Sequence, residues 1–386
     1  MQYRKFGKLD WQVSALGFGC MRLPTIDGKP GNIDQEKVTE MIHTAIEGGV
    51  NYFDTAYVYH DQKSEVALGK ALQGGFRDRV RIATKSPIWM IQESDDFDRF
   101  LDQELDRLQT QTIDFYLLHA LNHDSWEKVK RLDLLKRAEA ARADGRIRHL
   151  GFSFHDKLEA FKEIVDGHET WDFCQIQYNY MDVDFQAGRE GLRYAAAKGL
   201  GVVIMESLRG GKLAADMPAT RPLWESASQK RKPADWALQW LWHQPEVSLA
   251  LSGMSTLDQV KENVASAKVS GVGSLDADEV ALIDKAREVI ESLSPIPCTS
   301  CEYCLPCPNG VNIPRNFEVY NQAAMYAALD ESRRAYQHWI PDDQKASACI
   351  QCDECQEKCP QQILISSWLP VVDEVLGLSR DYVTSL

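Results

Sequence analysis

The sequence predicts a closed (β/α)8 TIM barrel followed by a small, largely helical, ferredoxin-like C-terminal domain. Two observations carry this reading. Between residue 10 and about residue 290, short apolar runs alternate eight times with helical patterns. Strands that alternate with helices build a parallel sheet, and eight such units suit a closed barrel. Beyond them, eight of the ten cysteines crowd into residues 298–359, after Pro295 and Pro297. The expected domains are therefore 1–293 and 294–386. An open doubly wound sheet would usually show a Gly-x-Gly-x-x-Gly turn, and none is present.

The elements follow in order. "VSALGFG" (13–19) reads as a first strand. "DQEKVTEMIHTAIEGG" then places Val38, Met41, Ile42, Ala45 and Ile46 at helical spacing, with Asp34 as N-cap and Gly48-Gly49 at the end. "VNYFDT" is a second strand, followed by a helix around "SEVALGKAL". "RVRIATK" (79–85) is a third, and its helix presents Phe97, Leu101, Leu105 and Leu108 on one face. "IDFYLLH" (113–119) is a fourth, with "WEKVKRLDLLKRAEAARADG" as one helix after it. "IRHLGFS" (147–153), "DFCQIQYN" (172–179), "GVVIMES" (201–207) and "SLALSGM" (248–254) complete the set. A long loop, 212–232, separates the seventh strand from its helix and is a candidate lid. An extra amphipathic helix covers 275–293.

Composition narrows the function. Hydrophobic residues make up 44% and charged residues 26% of the 386, and the net charge is -14. Such a balance opposes a sequence-independent grip on nucleic acid or an anionic membrane, both of which need a basic face. No apolar run approaches the length of a membrane span. The opening "MQYRKFGKLDW" carries charge but no apolar core, which predicts no secretory signal and a cytoplasmic location. Thiols stay reduced there, so a disulfide scaffold is disfavoured and the cysteine cluster points to metal.

Barrel chemistry sits at the C-terminal ends of strands. Those positions hold Asp54, Lys85 and His119, with Tyr59 five residues after Asp54. Together they suit proton donation to a carbonyl. A free tyrosine has a pKa of about 10, too high for easy proton exchange near neutrality. The Lys85 ammonium would favour the phenolate. Asp54 would hold Lys85 charged, and His119 would hydrogen-bond the substrate oxygen. A hydride from a nicotinamide would then meet the carbonyl carbon as Tyr59 protonates the oxygen.

At these residues the sequence resembles the aldo/keto reductases. The resemblance runs over roughly residues 1 to 290, through "YRKFGKLDWQVSALGFGCMRLP", "NYFDTAYVYHDQKSEVALGKAL", "IATKSP", "IDFYLLH" and "GFS". It implies Asp54, Tyr59, Lys85 and His119 as catalytic residues. It implies that Ser153 and Gln175 bind the nicotinamide carboxamide. It also implies cofactor contacts from Glu206, Ser207, Leu208, Arg209, Gly211 and Lys212 after the seventh strand. Gly253, Ser255, Gln259, Glu262 and Asn263 would lie along the adenosine half. The pattern departs from the family at several places. Phe154 follows Ser153, and His60 stands where a Gly commonly follows the tyrosine. Glu206 stands where many members stack an aromatic ring. Gly253 and Gln259 stand where many NADP-using members carry a Lys and an Arg, so NADP and NAD are both open.

The cysteine runs read "CTSCEYCLPCP" (298–308) and "CIQCDECQEKCP" (349–360). The second matches the bacterial ferredoxin spacing C-x2-C-x2-C-x3-C-P, and the first is one residue shorter before its last cysteine. In two-cluster ferredoxins the fourth ligand comes from the other run. Cys298, Cys301, Cys304 and Cys359 would then hold one [4Fe–4S] cluster, and Cys349, Cys352, Cys355 and Cys307 the other. Zinc is the competing reading, but structural zinc sites typically use two separated C-x2-C pairs per ion. "IPRNFEVYNQAAMYAALDESRRAYQHW" between the runs looks like a helical insertion with Pro314 in its first turn. Such a tail resembles that of an iron–sulfur subgroup of the family.

The leading expectation is an NAD(P)-dependent oxidoreductase that reduces an aldehyde or ketone, or oxidises the alcohol, and carries two [4Fe–4S] clusters. The alternative is an electron-transfer or redox-sensing module whose barrel binds nicotinamide with little turnover. Expected partners are a small carbonyl or alcohol substrate and an electron-transfer protein, without nucleic acid or membrane. Arg22 and Trp89 follow barrel strands and are candidates for a pocket wall. Cys20 reads as a small buried residue.

Overall fold

The computed structural model describes residues 1–386. The barrel is closed, with eight parallel strands each paired to the next and the last paired to the first. A hairpin precedes it: β1 (Tyr3–Lys5) and β2 (Gln12–Ser14) pair antiparallel. The barrel strands are β3 (Leu16–Gly19), β4 (Tyr52–Asp54), β5 (Arg81–Ser86), β6 (Ile113–Leu121), β7 (Ile147–Phe154), β8 (Phe173–Gln177), β9 (Gly201–Met205) and β10 (Leu249–Ser252). β3 and β4 are buried along their whole length. Parallel strands are covered on both faces, which is why these runs read as continuously apolar.

Several elements differ from the sequence expectation. The apolar run 13–19 is not one strand, because Gln12–Ser14 pairs with β1 while Leu16–Gly19 enters the barrel. Periodicity cannot announce a change of pairing partner within one run. The helix expected after β6 breaks into His123–Arg131 and Leu134–Ala143, with Asp133 at a left-handed φ of 52° between them. The helix Asp96–Leu108 buries Phe97, Leu101 and Leu108 as expected, but Leu105 is half-buried and Glu104 is fully buried. Glu104 is tolerated there because Tyr116 Oη donates to its Oε2 at 2.6 Å. Burial holds its carboxyl well above the usual range, so the group is neutral. The expected cap is present, with Asp34 Oδ1 accepting from Lys37 N at 3.2 Å.

By its internal contacts the chain forms two compact units. One comprises Met1–Ala214 with Arg231–Val280, and the other Ala215–Lys230 with Ala281–Leu386. The 212–232 segment contains a short helix, Arg221–Ser226. The second unit includes helices Ile313–Met325, Leu329–Trp339 and Ile365–Leu376. Their core gathers Phe317, Tyr320, Tyr336, Trp368 and Leu369, with cysteine side chains packed against it. No helix is long and apolar enough to cross a membrane.

The N-terminal face of the barrel is closed by the hairpin. Phe6, in its turn, is fully buried. Its ring lies 5.0 Å from Phe115, 5.8 Å from Phe173 and 5.7 Å from Trp11, centroid to centroid. Gly7 follows with a φ of +55°, and a Cβ there would stand 2.3 Å from the Gly201 nitrogen. The plug leaves the opposite face, at the C-terminal strand ends, for chemistry. A Phe6→Ala variant is expected to lose about 3–5 kcal/mol of stability. The check is a lower urea midpoint for the barrel transition at an unchanged slope.

Candidate active site and metal centre

Pairing of β4 with β5 sets Asp54 beside Ala83, two residues before Lys85. Lys85 Nζ donates to Asp54 Oδ1 at 2.6 Å, to the Thr55 carbonyl at 2.6 Å and to Tyr59 Oη at 3.4 Å. Lys85 and Asp54 are both buried. The His119 ring stands nearly perpendicular to that of Tyr59, 6.1 Å away. The four residues expected to act together are thus gathered at one mouth of the barrel. Trp89, 51% exposed, lies 5.0 Å from His119 and forms a wall beside it.

Electrostatics follow from burial and from one ammonium. Burial works against the Lys85 charge, but Asp54 and Tyr59 outweigh it and raise its pKa. Burial also raises Tyr59, and it exceeds the opposing pull of Lys85. The expectation of a lowered tyrosine is therefore reversed: the phenol is neutral and holds its proton. Burial, with Lys85 and His155 nearby, pushes His119 well below its ordinary value, so the imidazole is neutral. Its Nδ1 is buried without a hydrogen-bond partner.

His60 explains one departure from the family pattern. It takes a φ of 52°, which a glycine would adopt without strain. The ring compensates by bridging to the segment after β3. Nε2 accepts from Leu23 N at 3.1 Å, and Nδ1 lies 2.9 Å from the Pro30 carbonyl. The tautomer with its proton on Nδ1 satisfies both contacts.

The residues expected to hold a dinucleotide lie on the arc from β7 to β10. Ser153 Oγ accepts from Ala120 N at 2.8 Å. Gln175 is buried and its Oε1 has no partner. Glu206 has a φ of 55°, and its carbonyl accepts from Asn179 Nδ2 at 3.0 Å. Ser207 Oγ donates to the Ile204 carbonyl. The Leu208 carbonyl accepts from Gly211 N and Leu213 N, which closes a tight turn. Gly211 has a φ of +96° with open space where a Cβ would stand. Lys212 is half-buried. Arg209 is held by buried Asp182 at 3.3 Å. Ser255 N donates to Gln259 Oε1, Glu262 pairs with Lys232, and Asn263 Nδ2 donates to Ser252 Oγ. The sequence reading missed Asn179 and Asp182, which fasten the segments after β8 and β9 to each other. "NYMDVD" carries no spacing signal that could have disclosed them.

In the second unit the two cysteine runs share a backbone conformation around their second cysteine, Cys301 and Cys352. The residues on either side of each middle cysteine are left-handed: Ser300 and Glu302 at 54° and 63°, Gln351 and Asp353 at 55° and 65°. Beyond that cysteine the runs diverge, with a cis Leu305–Pro306 bond in the shorter gap of the first and a helical turn, Glu354–Glu357, in the second. The sulfurs interact across the runs. Cys298 interacts electrostatically with Cys301 and Cys359, and Cys355 with Cys349, Cys307 and Cys352, while Cys304 lies within reach of both sets, Cys298 and Cys301 on one side and Cys355 on the other. Cys298, Cys301, Cys304 and Cys359 line one cavity, backed by Phe317 and Ile365. Only one set of three or more side chains has its ligand atoms within 4.8 Å of one another, the surface group His123, Glu127 and Glu163, and it contains no cysteine. A tetrahedral zinc shell, with Zn–S of about 2.3 Å, would draw its sulfurs closer than that. Eight thiols in two runs of four supply the donor set of iron–sulfur clusters.

Comparison with known proteins agrees with this geometry. The sequence profile of the aldo/keto reductase family matches residues 15–288, and that of a 4Fe-4S dicluster domain matches 297–364. The chain belongs to the aldo/keto reductase family and carries a 4Fe-4S domain at its C-terminal side. It is 25% identical to L-galactose dehydrogenase of Arabidopsis thaliana, over 76% of this chain and 97% of that one. It is 25% identical to the uncharacterized oxidoreductase YqkF of Bacillus subtilis (strain 168), over 69% and 91% of the two chains. Among solved structures, the holo form of aldo-keto reductase AKR11C1 from Bacillus halodurans superposes with a TM-score of 0.61. It is 28% identical and covers 74% of this chain and 96% of its own. An aldo-keto reductase from Klebsiella pneumoniae, solved in complex with NADPH, has the same fold at a TM-score of 0.58. Its identity is 23%, with 74% and 94% of the chains covered.

His119 supplies a pH test. Unfolded, it titrates near 6.5, and folded, far lower. The unfolded chain therefore binds the extra proton first as pH falls. The stability linked to this group is full above about pH 6.5 and declines as pH falls toward the folded value. A His119→Asn variant is expected to lose less stability than the native protein when the pH is lowered from 7 to 5. Urea titrations at both pH values read the difference.

Proposed function

We propose that this protein is an NAD(P)-dependent reductase of a small aldehyde or ketone, or a dehydrogenase of the corresponding alcohol. One observation carries the reading: the Lys85 ammonium lies between Asp54, the Thr55 carbonyl and Tyr59 Oη, with neutral His119 beside them. A bound nicotinamide dinucleotide would supply or accept the hydride. Tyr59 would protonate the carbonyl oxygen. The phenolate it leaves would be held by Lys85, whose charge Asp54 maintains. His119, uncharged, would orient the oxygen by a hydrogen bond. The unpartnered Gln175 Oε1 fits a carboxamide N–H, next to Ser153 on the neighbouring strand. The open space at Gly211 leaves room for a phosphate group. The dehydrogenase and aldo-keto reductase names among the relatives support the same class.

In the C-terminal part, taken as residues 294–386, we assign Cys298, Cys301, Cys304 and Cys359 to one four-iron cluster. Cys349, Cys352, Cys355 and Cys307 go to a second. The cavity that Cys298, Cys301, Cys304 and Cys359 line together, and the like conformation around Cys301 and Cys352, support this division. Clusters of this kind need reduced thiols during assembly, in keeping with a cytoplasmic setting. Hydride carries two electrons and each cluster passes one. A protein partner for electrons therefore belongs to the proposal only if the clusters prove redox-active during turnover.

Tyr59→Phe is expected to cut kcat by roughly two to four orders of magnitude while leaving dinucleotide binding nearly unchanged. Steady-state assays on a carbonyl panel, with fluorescence titration of the cofactor, give both readouts. A variant that keeps most of its kcat in a chemistry-limited reaction would remove Tyr59 as proton donor.

The cluster assignment has its own test. Anaerobically purified protein is expected to hold about eight irons. Cys307→Ala should lower that toward about four, by unseating the cluster whose other ligands lie in the second run. Iron analysis with EPR of the reduced protein checks both figures. An unchanged iron content would remove Cys307 from the ligand set.

A further inference from the structure

Arg22 has no role in the reading above, yet its placement is specific. It follows β3 and is exposed, and its guanidinium forms no ion pair or hydrogen bond with the protein. The side chain lies across two glycines. A Cβ on Gly253 would come within 3.2 Å of Arg22 Cδ and 3.3 Å of Cγ, and a Cβ on Gly210 within 3.2 Å of Nη2. The stem therefore rests on the backbone after β10, and the guanidinium ends beside the turn after β9. The main chain is fastened as well, since Ser255 Oγ donates to the Arg22 carbonyl at 2.7 Å. Arg22, Ser255 and Tyr59 line one cleft of about 510 Å³.

Two other cations of this arc are engaged. Arg209 pairs with Asp182, and Lys232 with Glu262. Glu206 Oε2 would stand 3.8 Å from a Cβ on Gly210, yet it forms no ion pair with Arg22. A guanidinium seated on glycine backbone without a protein partner is arranged for an anion from outside. Both glycines belong to the segments after β9 and β10. Trp89 and His119, where the carbonyl would sit, follow β5 and end β6.

We infer that Arg22 holds a phosphate of the dinucleotide, and that Gly253 is a glycine so that Arg22 can reach it. The inference rests on the nicotinamide reading of the site. The chemistry is that of a phosphate monoanion or dianion on a planar guanidinium. The diphosphate, common to both dinucleotides, and the 2′-phosphate of NADP are its two possible sources.

The test is the Kd of NADH and of NADPH, each titrated by fluorescence against the purified full chain. The proteins are the native one, Arg22→Ala and Gly253→Ala. Arg22 is exposed and Gly253 does not have a positive φ, so neither change burdens folding. Arg22→Ala is expected to raise Kd roughly tenfold or more, the worth of one charge-assisted hydrogen bond. A rise for both dinucleotides assigns the diphosphate, and a rise for NADPH alone assigns the 2′-phosphate. Unchanged affinity for both overturns the inference. Gly253→Ala should weaken binding in the same direction, because its Cβ takes the place of the Arg22 stem. Unweakened binding there overturns the role given to the glycine. A native protein that binds neither dinucleotide would overturn the nicotinamide reading itself. That outcome is distinct from native binding that survives loss of Arg22.

Discussion

The site depends on a lysine kept charged inside a barrel. Taking an ammonium and a carboxylate out of water costs several kcal/mol per ion, and only good geometry returns it. Lys85 meets that condition with three acceptors: a carboxylate, a backbone carbonyl and a phenol. Asp54 meets it less fully, since its Oδ2 is buried without a partner. The arrangement persists because barrel closure fixes β4 against β5 and does not let either residue withdraw to solvent. Burial and this one charge together set the other electrostatic properties of the mouth. The charge opposes the effect of burial on Tyr59, and it reinforces that effect on His119, so a neutral phenol and a neutral imidazole stand side by side.

Around that charge the barrel divides its labour by face. The hairpin and the aromatic cluster of Phe6, Phe115 and Phe173 carry packing at the N-terminal ends of the strands. The opposite ends carry left-handed, non-glycine residues at His60, Glu206 and Arg209. Each is a local cost of order 1–3 kcal/mol that the surrounding contacts must offset. His60 is bound at both ring nitrogens, and Arg209 is bound to Asp182. These strained residues are thus fastened to neighbouring segments.

The cysteine unit applies the same economy to a different problem. In the assignment proposed above, each cysteine run would offer three sulfurs within a few residues, and each cluster would take its fourth from the other run. Long-range pairing of this sort ties residues some fifty positions apart. The helices Ile313–Met325 and Ile365–Leu376 give those loops an apolar backing through Phe317 and Ile365. A metal core bound there would be folding energy as well as chemistry.

Much of this was legible in the residues alone. Eight apolar runs with helices between them can close only a limited number of ways, and the strand ends then name Asp54, Lys85 and His119 without coordinates. The cysteine spacing likewise stated a ferredoxin-type centre, because ligand spacing along a loop is a local property. What the tertiary structure decided was non-local. The sign of the Tyr59 shift depends on how deeply the phenol is buried, which no spacing records. Glu104 sits at a core position because Tyr116, on another element, donates to it. The fastening of Arg209 by Asp182 and the seat of Arg22 on Gly253 and Gly210 arise where separate strand-end segments converge. Sequence determines which side chains reach the mouth of a barrel. Which of them meet, and which charge is left without a partner, is settled only when the sheet closes and brings loops far apart in the chain to the same face.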